Sequence, residues 1–155
     1  MRTNLNVFLF LTLLTCTLAA FPQKTDIAVV VNPGNPVTTL TLPQLRKLLA
    51  GERRSWANGQ AVRVFVRAPG TRERATLLKL LGMSESEYKQ YWTSQVFRGE
   101  AQFEPVALPS NGMQKEAIIA IPGAIVLMDS GDVKPPAKVV KIEGRLPGES
   151  GYPIH

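Results

Sequence analysis

Ile27-Ala28-Val29-Val30-Val31 is an unbroken apolar run, mostly β-branched, preceded by Asp26 and closed by the turn residues Asn32-Pro33-Gly34. Such a run predicts a strand. No polar residue alternates with the apolar ones, so both faces of the strand have to be covered. Strands covered on both faces belong to sheets with helices packed on each side. This one segment confines the chain to an α/β layered architecture and raises the question of where the covering helices lie.

The rest of the chain supplies them. Thr41-Leu42-Pro43-Gln44 opens a helix, with proline at an early helical position and Leu45, Leu48 and Leu49 at helical spacing up to Gly51. Glu52 to Gln60 reads as a loop around Trp56, Asn58 and Gly59, and Ala61 to Arg67 alternates Val62, Val64 and Val66 as a second strand. The turn Ala68-Pro69-Gly70 then leads into a helix from Thr71 to about Leu81, with Leu77, Leu78, Leu80 and Leu81 on a broad apolar face. Ser84-Glu85-Ser86-Glu87 carries a capping-box pattern for another helix, along which Tyr88, Tyr91, Trp92, Val96 and Phe97 recur. Two readings stand for that stripe, a core face, which is the one expected, and a ligand platform. Beyond a loop through Pro105 and Pro109, Ser110-Asn111-Gly112 precedes a helix from Met113 to Ala120 that stops at Pro122-Gly123. Ala124 to Met128 and Lys138 to Ile142 read as the last strands, and Gly144 to His155 has turn composition. The expectation is one sheet holding Ile27 to Val31, Val62 to Val66, Ile125 to Leu127 and Val139 to Ile142, with helices on both faces.

A chain of 155 residues has room for one domain with one modest core. Its first twenty residues follow the pattern of a signal peptide: Arg2 at the start, an apolar run from Val7 to Leu14, then Leu18-Ala19-Ala20 with small residues for cleavage. The apolar run is shorter than the ~20 residues a membrane-spanning helix needs. The expected outcome is a leader at residues 1–20, a domain at residues 21–155, and a protein of the periplasm or the exterior. Lipid anchoring through Cys16 is not expected, because the preceding Leu13-Leu14-Thr15 ends on a residue bulkier than the small ones a lipidation signal uses.

The only histidine is His155 and the only cysteine is Cys16, which leaves no material for a metal cluster or a histidine-based triad. The carboxylates are scattered over helix surfaces and turns. A non-enzyme without a metal or cofactor is therefore expected. Eighteen Lys and Arg against twelve Asp and Glu give a formal charge of +6, which suits an anionic ligand or surface and equally serves plain solubility. Nucleic acid is not an expected partner, because the leader implies export and the aromatics gather on one helix instead of interleaving with a basic stripe.

Five segments in order, IAVVVNPGNPV, LTLPQLRKLLAGERRSW, VRVFVRAPGTRERATL, SNGMQKEAIIAIPGAIVLM and VVKIEGRLPGESGYPI, resemble the second lobe of the periplasmic phosphate-binding proteins of ABC importers. The resemblance implies a single periplasmic-binding-protein-like lobe with a mixed sheet. It also implies an oxyanion cleft lined by neutral hydroxyls, amides at helix N-termini and an arginine. The family's arginine and Gly-Ser-Gly-Thr turn match Arg67-Ala68-Pro69-Gly70-Thr71, so Arg67, Gly70 and Thr71 carry over as candidate anion contacts. Pro69 stands where the family has serine, which removes a hydroxyl and a backbone donor. Arg72 can add a guanidinium at the same helix start, and Ser110, Asn111 and Gly112 correspond to a second helix N-terminus near the cleft. For Thr71 and Ser110 the other reading is plain helix capping, and for Arg67 and Arg72 an exposed or ion-paired side chain, with Glu73 as one partner. The family's N-terminal hydroxyl-bearing loop and its proton-accepting carboxylate have no counterpart in these segments. The function expected is a substrate-binding-protein-like module for phosphate or another small oxyanion, linked to an ABC phosphate importer. The competing expectation is an envelope adaptor that keeps the fold without the ligand. A transporter or other envelope partner and self-association are both compatible with half a clamp.

Overall fold

β1 (Ile27–Val31) is fully buried at every position and lies within a six-stranded sheet. The computed structural model describes residues 25–155. In chain order the other elements are β2 (Thr39–Leu40), α1 (Leu42–Leu49), β3 (Arg63–Arg67), α2 (Arg72–Leu81), α3 (Glu85–Phe97), β4 (Val106–Leu108), α4 (Asn111–Ala120), β5 (Ala124–Asp129) and β6 (Lys138–Ile142). Across the sheet the order is β2-β6-β1-β5-β3-β4. β1 pairs antiparallel with both neighbours, Val29 facing Leu127 on one side and Val140 on the other. β3 runs parallel to β5 and to β4, and β2 parallel to β6, so β1 runs against the other five. All four expected strands share this mixed sheet.

The two faces of β1 divide the core. Ile27, Val29 and Val31 pack with Leu45, Leu48, Leu77, Tyr88 and Trp92 of α1, α2 and α3. Ala28 and Val30 pack with Ile118 of α4 and with Val126 and Met128 of β5. Each large aliphatic side chain buried this way contributes about 1.5–3 kcal/mol, and neither layer alone covers the strand.

Local signals start α1, α2 and α3 where the spacing predicts. At α1, Thr41 accepts from the Gln44 amide while the Gln44 side chain accepts from the Thr41 amide, and Ser84 and Glu87 do the same at α3. α2 ends at Gly82, whose φ of 66° is the left-handed conformation that suits glycine. Between these two helices, Arg74 donates to both oxygens of Glu85 at 2.9 and 2.8 Å and lies 4.2 Å from the Tyr88 ring centroid. The pair holds the Glu85 carboxyl below its usual range, and burial pushes the Tyr88 hydroxyl up to about 12.

Three features depart from the sequence expectation. The aromatic stripe is core at Tyr88 and Trp92 and half-buried at Tyr91, but Val96 is exposed and Phe97 is 91% exposed. At 3.6 residues per turn, Phe97 falls half a turn round the helix from Tyr88, so it never shared that face. β2 and β4 were not expected, being too short to show a period. The tail has turns, yet Tyr152 and Ile154 are buried against β1, with the Tyr152 hydroxyl donating to Ile27 O at 2.8 Å and Ile27 N donating to Ile154 O at 3.1 Å. The leader and Cys16 lie outside the described residues. Among the described residues no helix is long and apolar enough to cross a membrane.

Gly123 is where sheet and loop touch most closely. It has φ of 79°, its carbonyl accepts from Arg63 N and Trp56 Nε1 at 3.0 Å each, and an added Cβ would stand 2.0 Å from Ala61 O. Gly123→Ala is expected to cost about 3 kcal/mol or more in urea unfolding, the left-handed strain plus a backbone clash. Gly144→Ala, with φ of 76° and open space around the new Cβ, is expected to cost only about 1 kcal/mol.

The tail also gives a pH dependence. Asp26 accepts from Gly148 N at 2.6 Å and contacts His155 Nδ1 at 2.7 Å, and the Gly148 bond in particular holds its carboxyl below the ordinary 3.8. A depressed carboxyl stabilises the fold above its unfolded-state pKa and loses that contribution as pH falls through the folded value. Exchange of the Gly148 amide, corrected for intrinsic pH dependence, should therefore be protected at pH 6 and lose protection only as pH falls below 3.8. Asp26→Asn should flatten that profile.

Candidate functional site

Because β3, β4 and β5 are parallel, their C-terminal ends open on one edge of the sheet. Arg67 ends β3, Leu108 ends β4 directly opposite it, and Asp129 ends β5. α2 follows β3 and α4 follows β4, so both helix N-termini start from this edge. The fold thus brings Arg67, Gly70, Thr71 and Arg72 to the same edge as Ser110, Asn111 and Gly112. In open α/β sheets, this is the edge where ligands gather.

The side chains differ in what they have left to offer. Arg67 is half-buried, its Nε and Nη1 are shielded without a hydrogen-bond partner, and it belongs to none of the ion pairs among the described residues. Arg72 is committed: Nη1 meets Asp129 Oδ2 at 2.6 Å and Nη2 donates to Thr25 O at 2.5 Å. Its ion-pair partner is Asp129, not the neighbouring Glu73. Thr71 caps α2, its Oγ1 accepting from Arg74 N at 3.3 Å and donating to Ala68 O at 3.0 Å. The capping geometry is present, and the single proton of the hydroxyl is spent on Ala68 O, so contact with an anion requires it to turn away from that carbonyl. Gly70 is exposed with φ of 90° and nothing within 4 Å of an added Cβ, so the turn leaves open space in front of its backbone.

At the second helix start, Ser110 is the N-cap and accepts from Met113 N at 3.2 Å. Asn111 and Gly112 lie inside the first turn of α4, which begins two residues before the expected Met113 because the Ser110 cap sets the boundary. Asn111 Nδ2 donates to Asp132, and its Oδ1 is shielded without a partner. The first amides of both helices have no partner within their own helix and carry the positive end of the dipole.

Asp129 and Asp132 are neighbours of the candidate site that the sequence analysis missed. They tie down Arg72 and Asn111 across 57 and 21 residues of chain, and no local pattern announces such pairings. Among the described residues no group of three or more His, Cys, Asp or Glu is placed to hold a metal ion.

Neither a family model nor a curated protein matches this sequence. Solved structures do. An ABC-type phosphate transport receptor from Vibrio cholerae superposes with a TM-score of 0.64 at 24% identity, over 79% of this chain and 48% of that one. PstS from Borrelia burgdorferi superposes with a TM-score of 0.60 at 18% identity, over 79% of this chain and 49% of that one. The chain spans about half the length of these structures. At such identities the likeness is one of fold, and the fold is that of a single lobe of the substrate-binding proteins of phosphate ABC transporters.

Proposed function

We propose that the chain is an exported, oxyanion-binding module of the cell envelope, non-enzymatic, working alongside an ABC phosphate importer or a related envelope partner. The observation that carries this reading is Arg67, a half-buried guanidinium without a carboxylate or hydrogen-bond partner, on an edge where two helices present their N-termini. Leaving guanidinium donors shielded and unbonded costs free energy, and an oxyanion bound there recovers it through charge-assisted bonds. Gly70 gives the ion access to the backbone, Thr71 adds a neutral hydroxyl once its proton turns from Ala68 O to the ion, and Ser110, Asn111 and Gly112 supply the second positive helix end. Arg72 acts differently in this reading. Held by Asp129, it neutralises a carboxylate that would otherwise repel the ligand.

The competing reading, an adaptor that keeps the fold and not the ligand, draws on Pro69, which removes an amide from the turn, and on Asp132, which occupies Asn111. One lobe by itself cannot close over an ion, so the affinity of residues 25–155 alone should be weak, in the high micromolar to millimolar range, about 4–6 kcal/mol.

Amide-shift titration with phosphate and sulfate separates the two. Binding should move the amides of Gly70 to Arg72, Arg67→Gln should abolish the effect, and Pro69→Ser should tighten it by about tenfold, equivalent to about 1.4 kcal/mol. Thr71→Ala is the less clean variant, since loss of the cap should also lower stability by about 1 kcal/mol. Absence of localised shifts at tens of millimolar phosphate would leave the adaptor. For export, the intact mass of protein expressed in a secreting host should correspond to a chain beginning near Phe21. Full-length protein retained in the inner membrane would contradict a cleaved leader.

A further inference from the structure

Beside the N-terminal half of β3 lies a groove of about 570 Å³, with Phe65, Trp92, Phe103 and Val106 among its apolar walls. Trp92 is buried, but Phe103 is 55% and Val106 49% exposed. Two of the large apolar side chains left in water are thus walls of one groove, and whatever fills it covers both.

The polar part of the lining is mainly cationic. Arg53, Arg54 and Arg63 belong to it, and none of them enters an ion pair among the described residues. Arg53 Nε donates to Ser55 O at 3.3 Å and Arg54 Nε to Gly51 O at 3.4 Å, so each guanidinium is steadied from its own loop, and no hydrogen bond among the described residues holds the Nη groups of either. The loop itself is seated on the groove wall, since an added Cβ at Gly51 would stand 2.6 Å from Trp92 Cη2. Arg63 is engaged differently, 5.7 Å from the centroid of the Phe103 ring. Of the two carboxylates in the lining, Glu100 is paired with Arg98 at 3.2 Å, which leaves Glu104 against three arginines.

These features select the kind of occupant. The start of β3 has no run of free backbone to offer an extended chain, because Arg63 N donates to Gly123 O at 3.0 Å, Val62 N donates to Arg54 O at 2.9 Å, and pairing with β4 begins at Phe65. The occupant is therefore held by side chains. The volume lies in the range of small-molecule sites, which are apolar enclosures with a few placed polar groups. Here those groups are guanidiniums with unspent donors, whose matching partner is a carboxylate.

We propose that this groove binds a small organic carboxylate with an aromatic or branched aliphatic body. The body lies among Phe65, Trp92, Phe103 and Val106, and the carboxylate is taken by Arg53 and Arg54. The groove shares no residue with the oxyanion edge, so either site can fail without the other.

The probe is 4-phenylbutyrate, titrated into isotopically labelled protein. Saturable shifts should centre on Val62 to Phe65, Gly99 to Val106 and the Trp92 indole, and excess phosphate should not displace the ligand. Butyrate, which lacks the ring, and 4-phenylbutanamide, which lacks the charge, should each bind at least about tenfold more weakly. Arg53→Gln combined with Arg54→Gln should weaken 4-phenylbutyrate by at least about tenfold while leaving 4-phenylbutanamide unchanged, a split that loss of folding does not produce. The proposal is overturned by no saturable shift at millimolar 4-phenylbutyrate, by the amide or butyrate binding as tightly as the acid, or by shifts centred on Gly70 to Arg72. It is equally overturned if the peptide acetyl-Glu-Asp-Phe-Val-Ile-Asp-Glu-amide binds the groove more tightly than 4-phenylbutyrate, which would make it a surface for polypeptides.

Discussion

The burial of β1 on both faces and along both edges is the constraint on which the rest of the structure depends. A strand with no exposed residue has to be enclosed by β5 and β6 in the plane and by two helical layers above and below. Its ends are secured as carefully as its middle. Asn32, just past the strand, donates through Nδ2 to the carbonyls of Ile118 and Ile119 at 2.9 and 3.1 Å and accepts from Gly34 N at 2.9 Å. One side chain thus shapes the turn and fastens the end of α4 to it. At the other end the tail brings Tyr152 and Ile154 over Ile27, so residues distant in sequence close the core around one strand.

With β1 enclosed, the parallel strands on its β5 side do the positioning. β3 contributes to two surfaces at once, because its C-terminal end faces the helix N-termini and its N-terminal end borders the groove. The electrostatics of these ends differ in kind. At the C-terminal edge, carboxylates from β5 and the turn after it take up Arg72 and Asn111, so that Arg67 alone carries uncompensated charge among the candidate side chains. Beside the N-terminal half of β3, Arg53, Arg54 and Arg63 enter no ion pair among the described residues. A compact, partly neutralised site suits a small oxyanion.

Capping explains why the helix starts were legible in the sequence and why the site was only partly so. Thr41 with Gln44, Ser84 with Glu87, and Ser110 are local arrangements, complete within one turn of chain, and the structure has them as the spacing predicts. The same local chemistry makes Thr71 ambiguous, since a cap and an anion contact use the same hydroxyl in the same place. Phe97 shows the limit of reading a stripe by eye, because a nearby aromatic counts toward a helical face only if its angle round the axis agrees.

The sequence by itself determined the layered α/β architecture, four of the six strands, the capped starts of α1, α2 and α3 and the likeness to one lobe of a phosphate-binding protein. Each of these rests on periodicity or capping within a few residues, or on ordered motifs along the chain. Only the tertiary structure decided which arginine is free and which is held, because Asp129 reaches Arg72 across 57 residues. It also decided that β4 pairs with β3 only from Phe65 to Arg67. Strand register and long-range ion pairs depend on how the whole sheet packs around β1, and no window of sequence carries that information.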